Sequence, residues 1–84
     1  MNSIKWNKRK SRLGHTQLCY EQDCGAFHRS ITLNVLPLEY KIWVETLING
    51  EYISGGVVFT STDWERVQEK LKELEVTPPQ NLYL

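Results

Sequence analysis

Residues 39–61 read EYKIWVETLINGEYISGGVVFTS, and this stretch decides the fold. Its centre, Asn49-Gly50, is the strongest short-range hairpin signal, because a two-residue type I′ turn needs positive φ at both central positions. Upstream of the turn, Tyr40, Ile42, Val44, Thr46 and Ile48 share one strand face, while Glu39, Lys41, Trp43, Glu45 and Leu47 share the other. A two-residue loop sets the register, placing Ile48 opposite Glu51, Thr46 opposite Ile53, Val44 opposite Gly55, Ile42 opposite Val57 and Tyr40 opposite Phe59. The apolar sets of both strands then fall on one face, which a slip of one residue would prevent.

Working outward, residues 27–35 alternate in the same way, with Phe27, Ile31, Leu33 and Val35 against His28, Ser30, Thr32 and Asn34, and a turn at Leu36-Pro37-Leu38 follows. Beyond Thr60 the period lengthens. Trp64, Val67, Leu71 and Leu74 recur at three and four residues, which predicts an amphipathic helix of about three turns. Thr62 with Glu65 has the spacing of a capping box at its start, and Thr77-Pro78-Pro79 closes it. The expected fold is α+β: a three- or four-stranded antiparallel meander followed by one C-terminal helix packed on one sheet face. The chain divides into a basic flexible arm (residues 1–12), one domain (13–76) and a short tail (77–84).

One helix covers one side of a sheet. The other side is expected to display Trp43 and Leu47 facing Gly56 and Tyr52, with Lys41 and Val58 alongside. Trp43 opposite glycine could serve simply to cover bare backbone. Together these side chains form a patch that a monomer rarely leaves in water, so a partner or a second copy is expected to cover it.

Eighty-four residues make a single domain with a thin core. The formal net charge of zero conceals a segregation: Lys5, Lys8, Arg9, Lys10 and Arg12 stand in the first twelve residues with no acid among them, and the remaining five bases face ten acids. A basic arm on an acidic body suits contact with nucleic acid, and suits equally a solvated tail or docking to an acidic partner. The basic start lacks the apolar run of a secretory signal, and no stretch approaches the ~20 apolar residues of a membrane span. A cytoplasmic location without membrane contact is expected, consistent with reduced thiols.

Residues 15–28, HTQLCYEQDCGAFH, place His15, Cys19, Cys24 and His28 at mirrored spacings. A hairpin centred between Glu21 and Gln22 would set Cys19 opposite Cys24 and His15 opposite His28. Four strand residues span about 13 Å, whereas zinc ligands lie about 2.0–2.3 Å from the metal, so a straight hairpin cannot gather all four. Two helical turns could, but the alternation after Phe27 opposes them. A Cys19–Cys24 disulfide is geometrically open in such a hairpin and disfavoured by a reducing compartment. Two free thiols and two surface histidines are expected, with no metal and no cofactor. The Cys–His pairs lack the orienting group and pocket of a nucleophilic enzyme, and Gly55-Gly56 opens no helix and makes no phosphate cradle. Glu65, Arg66, Glu69, Lys70, Lys72, Glu73 and Glu75 dress a solvated helix face. No enzymatic activity is expected.

The stretch EYISGGVVFTSTDWERVQEKLKEL, a glycine-rich strand feeding a capped helix with an early Trp, resembles the end of PC4-type single-stranded-DNA-binding domains. The resemblance spans roughly residues 30 to 75 and implies a curved antiparallel sheet, one helix, a homodimer and strand surfaces that bind single-stranded DNA. On this basis Lys41, Trp43 and Tyr52 would be the sheet contacts and the arm would add positive charge. The chain departs from the family in its acidic body. It is therefore expected to be a small binding protein that takes single-stranded nucleic acid on the aromatic sheet face, at Lys41, Trp43, Leu47 and Tyr52, and on the basic arm. The alternative is a protein-protein interaction module, such as a regulator, inhibitor or accessory subunit, using the same face.

Overall fold

A computed structural model describes residues 6–79. Five antiparallel strands lie in the order β1-β2-β3-β4-β5, each hydrogen-bonded to its sequence neighbour. They are β1 (Asn7–Lys10), β2 (Thr16–Cys24), β3 (Phe27–Val35), β4 (Tyr40–Ile48) and β5 (Glu51–Ser61), followed by one helix, α1 (Trp64–Glu73). The sheet has one strand more than the sequence suggests. Asn7–Lys10 belongs to the expected arm, yet it pairs with Cys19 through Thr16 as an edge strand. Its lysines are the residue type that guards an exposed edge against further pairing. Lys5 lies outside the described residues.

The Asn49-Gly50 turn forms as expected, with φ of 53° and 81°. The hairpin of β2 and β3 turns four residues later than the mirrored Cys/His pattern implies. It closes at Gly25-Ala26, with Cys24 opposite Phe27, Asp23 opposite His28 and Cys19 opposite Thr32. Gly25, at φ 74°, supplies the positive angle that a two-residue turn requires at its first central position.

The helix-side face carries the core. Leu18, Ile31, Leu33 and Ile42 from three consecutive strands meet Val67 and Leu71 of α1 and Val76 beyond it, and all are buried. Trp64 packs its ring on Tyr40 with centroids 5.4 Å apart. Asp63 caps the helix instead of Thr62, its carboxylate accepting from the backbone N–H of Glu65 at 2.9 Å. An acid at this position satisfies an orphan N–H and also meets the positive end of the helix dipole.

At the other end, the N–H of Val76 reaches the carbonyl of Leu71 and that of Glu75 the carbonyl of Lys72, both at 2.9 Å. These are the two bonds of a Schellman motif, and Val76 and Leu71 supply its hydrophobic contact. Glu75 occupies the left-handed position of that motif, at φ 63°, where glycine is usual. Glu75→Gly is therefore expected to stabilise the protein by about 0.5–1 kcal/mol, read as a raised urea midpoint at constant slope; a lowered midpoint would contradict this account.

The segment after the helix stays on the body. Val76 and Pro79 are buried, and the indole N–H of Trp6 donates to the Thr77 carbonyl at 2.9 Å while its ring packs on Tyr20. The folded unit thus takes in part of both expected terminal segments. Leu82, Tyr83 and Leu84 lie outside the described residues.

Candidate binding face

The face away from the helix is built by alternation. Residues directly opposite in neighbouring strands project to the same side, so the pairings sort this face into rows that cross the sheet. One row runs Arg9, Gln17, Asn34, Lys41, Thr60. The next runs Asn7, Cys19, Thr32, Trp43, Val57. A third holds Glu21, Ser30, Glu45 and Gly55, and a fourth Asp23, His28, Leu47 and Tyr52. Successive rows are about 6.6 Å apart along the strands.

The rows differ in charge. In the first, Arg9 Nε donates to Gln17 Oε1 at 3.2 Å and Gln17 Nε2 to Asn34 Oδ1 at 2.7 Å. This links three strands by side-chain amides, with a cation in β1 and another in β4. Lys41 Nζ lies 3.7 Å from Glu39. The third row carries two carboxylates. Between them lies Trp43, whose indole N–H donates to Glu45 Oε1 at 3.1 Å, so the ring is held toward the acidic row. Trp43 keeps 37% of its surface exposed. Arg9, Gln17, Thr32, Asn34, Trp43 and Glu45 together line an open groove of about 320 Å³. Beneath it Cys19 and Thr32 are buried, with Sγ 3.6 Å from Oγ1.

The expected site residues separate accordingly. Arg9, Lys41 and Trp43 stand together on this face, and Leu47 lies opposite Tyr52 as expected. Lys8 and Lys10 lie opposite Leu18 and Thr16, so they project to the helix side, and Arg12 stands in the loop between β1 and β2. The β4–β5 register also departs from the expected one. Two bulges in β5, at Ile53 and Val58, move Trp43 opposite Val57, Lys41 opposite Thr60 and Val44 opposite Gly56. Gly56 is thereby carried to the helix side, and Trp43 does not cover it. The aromatic that covers a glycine is Tyr52, since a Cβ at residue 55 would lie 2.5 Å from its hydroxyl.

The four Cys/His positions do not converge. Cys19 and Cys24 are five residues apart on one strand, about 16 Å, far beyond the Cα separation a disulfide allows. His28 makes a 2.9 Å contact with Glu21, and His15 stands in the loop before β2. Among the described residues no group of three or more His, Cys, Asp or Glu could hold a metal ion. Among them, too, no helix is long and apolar enough to cross a membrane.

Gln17, Thr32, Asn34 and Glu45 were not singled out from the sequence. For Gln17 the signal was Gly25: a turn there pairs it with Asn34, in the row next to Trp43. Compared with known proteins, the chain matches no family model, no curated protein and no solved structure.

Proposed function

We propose that the open sheet face binds single-stranded nucleic acid, with the backbone crossing the strands along the Arg9–Lys41 row and a base stacked on Trp43. The observation that carries this reading is the groove itself. It sets an exposed indole beside a row with two cations and two side-chain amides, one strand-repeat away. Arg9 and Lys41 are three strand spacings apart, about 14 Å, roughly two phosphate-to-phosphate steps of an extended strand, so each cation meets a different, non-adjacent phosphate. The amides of Gln17 and Asn34 offer donors and acceptors to base edges, as single-strand readers do. The acidic row of Glu21 and Glu45 repels phosphate and confines the strand to one side of Trp43.

Fluorescence anisotropy of labelled single-stranded and duplex oligonucleotides across a salt series tests the proposal. Two phosphate contacts predict a slope of log affinity against log salt of about −1.4. Trp43→Ala is expected to weaken single-strand binding by about 5- to 150-fold, the worth of one stacked base, and Arg9→Ala to flatten the salt slope. Binding indifferent to Trp43, or no binding at low salt, would discard the reading. A protein-contact face is the second reading, favoured by the exposure of Tyr52, Ile53, Val57 and Val58 on β5.

A further inference from the structure

The two edges of the sheet are unlike. The β1 edge reads Asn-Lys-Arg-Lys and is fully polar; β5 is an eleven-residue edge strand whose one charged residue is Glu51. Tyr52, Ile53, Val57 and Val58 are exposed along it. Long apolar edge strands are templates for pairing with another chain. At the midpoint of β5 stands Gly56, and a Cβ added there would meet nothing within 4 Å. The packing of one chain does not require glycine at this place, and a glycine inside a strand otherwise marks a bend, a bulge or the close approach of another backbone.

We infer that β5 pairs antiparallel with β5 of a second copy about a two-fold axis at Gly56, joining the two sheets edge to edge. The open-face set of the strand is self-complementary in that register, while on the helix side Ser54 and Phe59 fall opposite the bulged Val58 and Ile53. The pairings with β4 put Tyr52, Gly55, Val57 and Thr60 on the open face. Reversed about residue 56, this set maps onto itself, Tyr52 opposite Thr60 and Gly55 opposite Val57. The match is not automatic, because two bulges break the simple alternation. Glu51 falls opposite Ser61, so no like charges meet, whereas full overlap of β1 with itself would set Lys8 against Arg9. The isologous arrangement is also the commonest way for identical chains to associate. It leaves the groove around Trp43 uncovered in both copies, so the pairing stands apart from the nucleic-acid reading.

Sedimentation velocity and light scattering of the full chain, without nucleic acid, from micromolar to submillimolar concentration, test the pairing. The expected mass is that of two chains. Gly56→Glu has room within one chain and places two carboxylates on the axis; it is expected to halve the mass while keeping the parent circular dichroism. Val57→Lys, a second edge variant at a solvent-exposed position, is expected to do the same should Gly56→Glu fold poorly, and Lys8→Glu on the far edge to leave the mass unchanged. A parent of one-chain mass at every concentration, or folded edge variants that keep the two-chain mass, would overturn the inference.

Discussion

Ile42→Ala is expected to lower the unfolding free energy by about 2–5 kcal/mol, the range for deleting a fully buried Leu or Ile side chain. Ile42 has no exposed surface, lies in register between Leu33 and Phe59, and belongs to the cluster that α1 closes with Val67 and Leu71. Among the described residues one helix covers one side of a five-stranded sheet and offers few alternative atoms to fill the void, so little collapse can offset the loss. A domain of this length has a total stability of about 4–12 kcal/mol at ordinary values per residue, so the variant would be close to unfolded at moderate denaturant. Urea titration checks this, with Ile42→Val expected to cost about 0.5–1.5 kcal/mol. A loss below about 1 kcal/mol for the alanine variant would mean that the helix repacks freely and that the core is less fixed than described.

Arg29→Ala is expected to cost about 1.5–3 kcal/mol, the value of a hydrogen bond from a charged group whose acceptor is left without it. Arg29 projects on the helix side from β3, where the alternation would otherwise place an apolar residue. Its Nε donates to Gln22 Oε1 at 2.6 Å and its Nη2 to the Leu74 carbonyl at 2.7 Å. The guanidinium thus caps the negative end of the helix from the sheet, and a fixed positive charge is favoured there. Arg29→Lys keeps the charge but cannot donate in two fixed directions, so it should recover only part of the loss. Amide exchange localises the effect: Glu75 and Val76, whose N–H groups close the Schellman turn, should lose protection in Arg29→Ala before the strands do. Uniform loss across all strands would assign Arg29 a general packing role instead.

Local pattern carried the order of elements in the C-terminal half. The hairpin at Asn49-Gly50 and the helix from Trp64 were legible because turn chemistry and hydrophobic period agree there. Residues 7–10 were not. A polar edge strand has no buried face, so Lys8, Arg9 and Lys10 show no alternation to detect and read as an arm. The register error in β5 had a different origin, since a bulge inserts one residue without changing composition, and Ile53 and Val58 carry no mark of it. The Cys/His mirror drew attention to Glu21-Gln22 when Gly25-Ala26 was the turn. That displacement hid the pairing of Gln17 with Asn34, and with it the polar half of the groove.

The side-chain contact between Trp6 and Thr77 spans 71 residues, beside a sheet whose every strand pairing joins neighbours along the chain. Neighbouring hairpins close small loops and form quickly, so strands can assemble in the order in which they are made. Trp6, just ahead of β1, must wait for Thr77, beyond the helix, before its indole N–H finds that carbonyl. The side chain that precedes the first strand is thus among the last to be locked, although the strand itself pairs with its neighbour early.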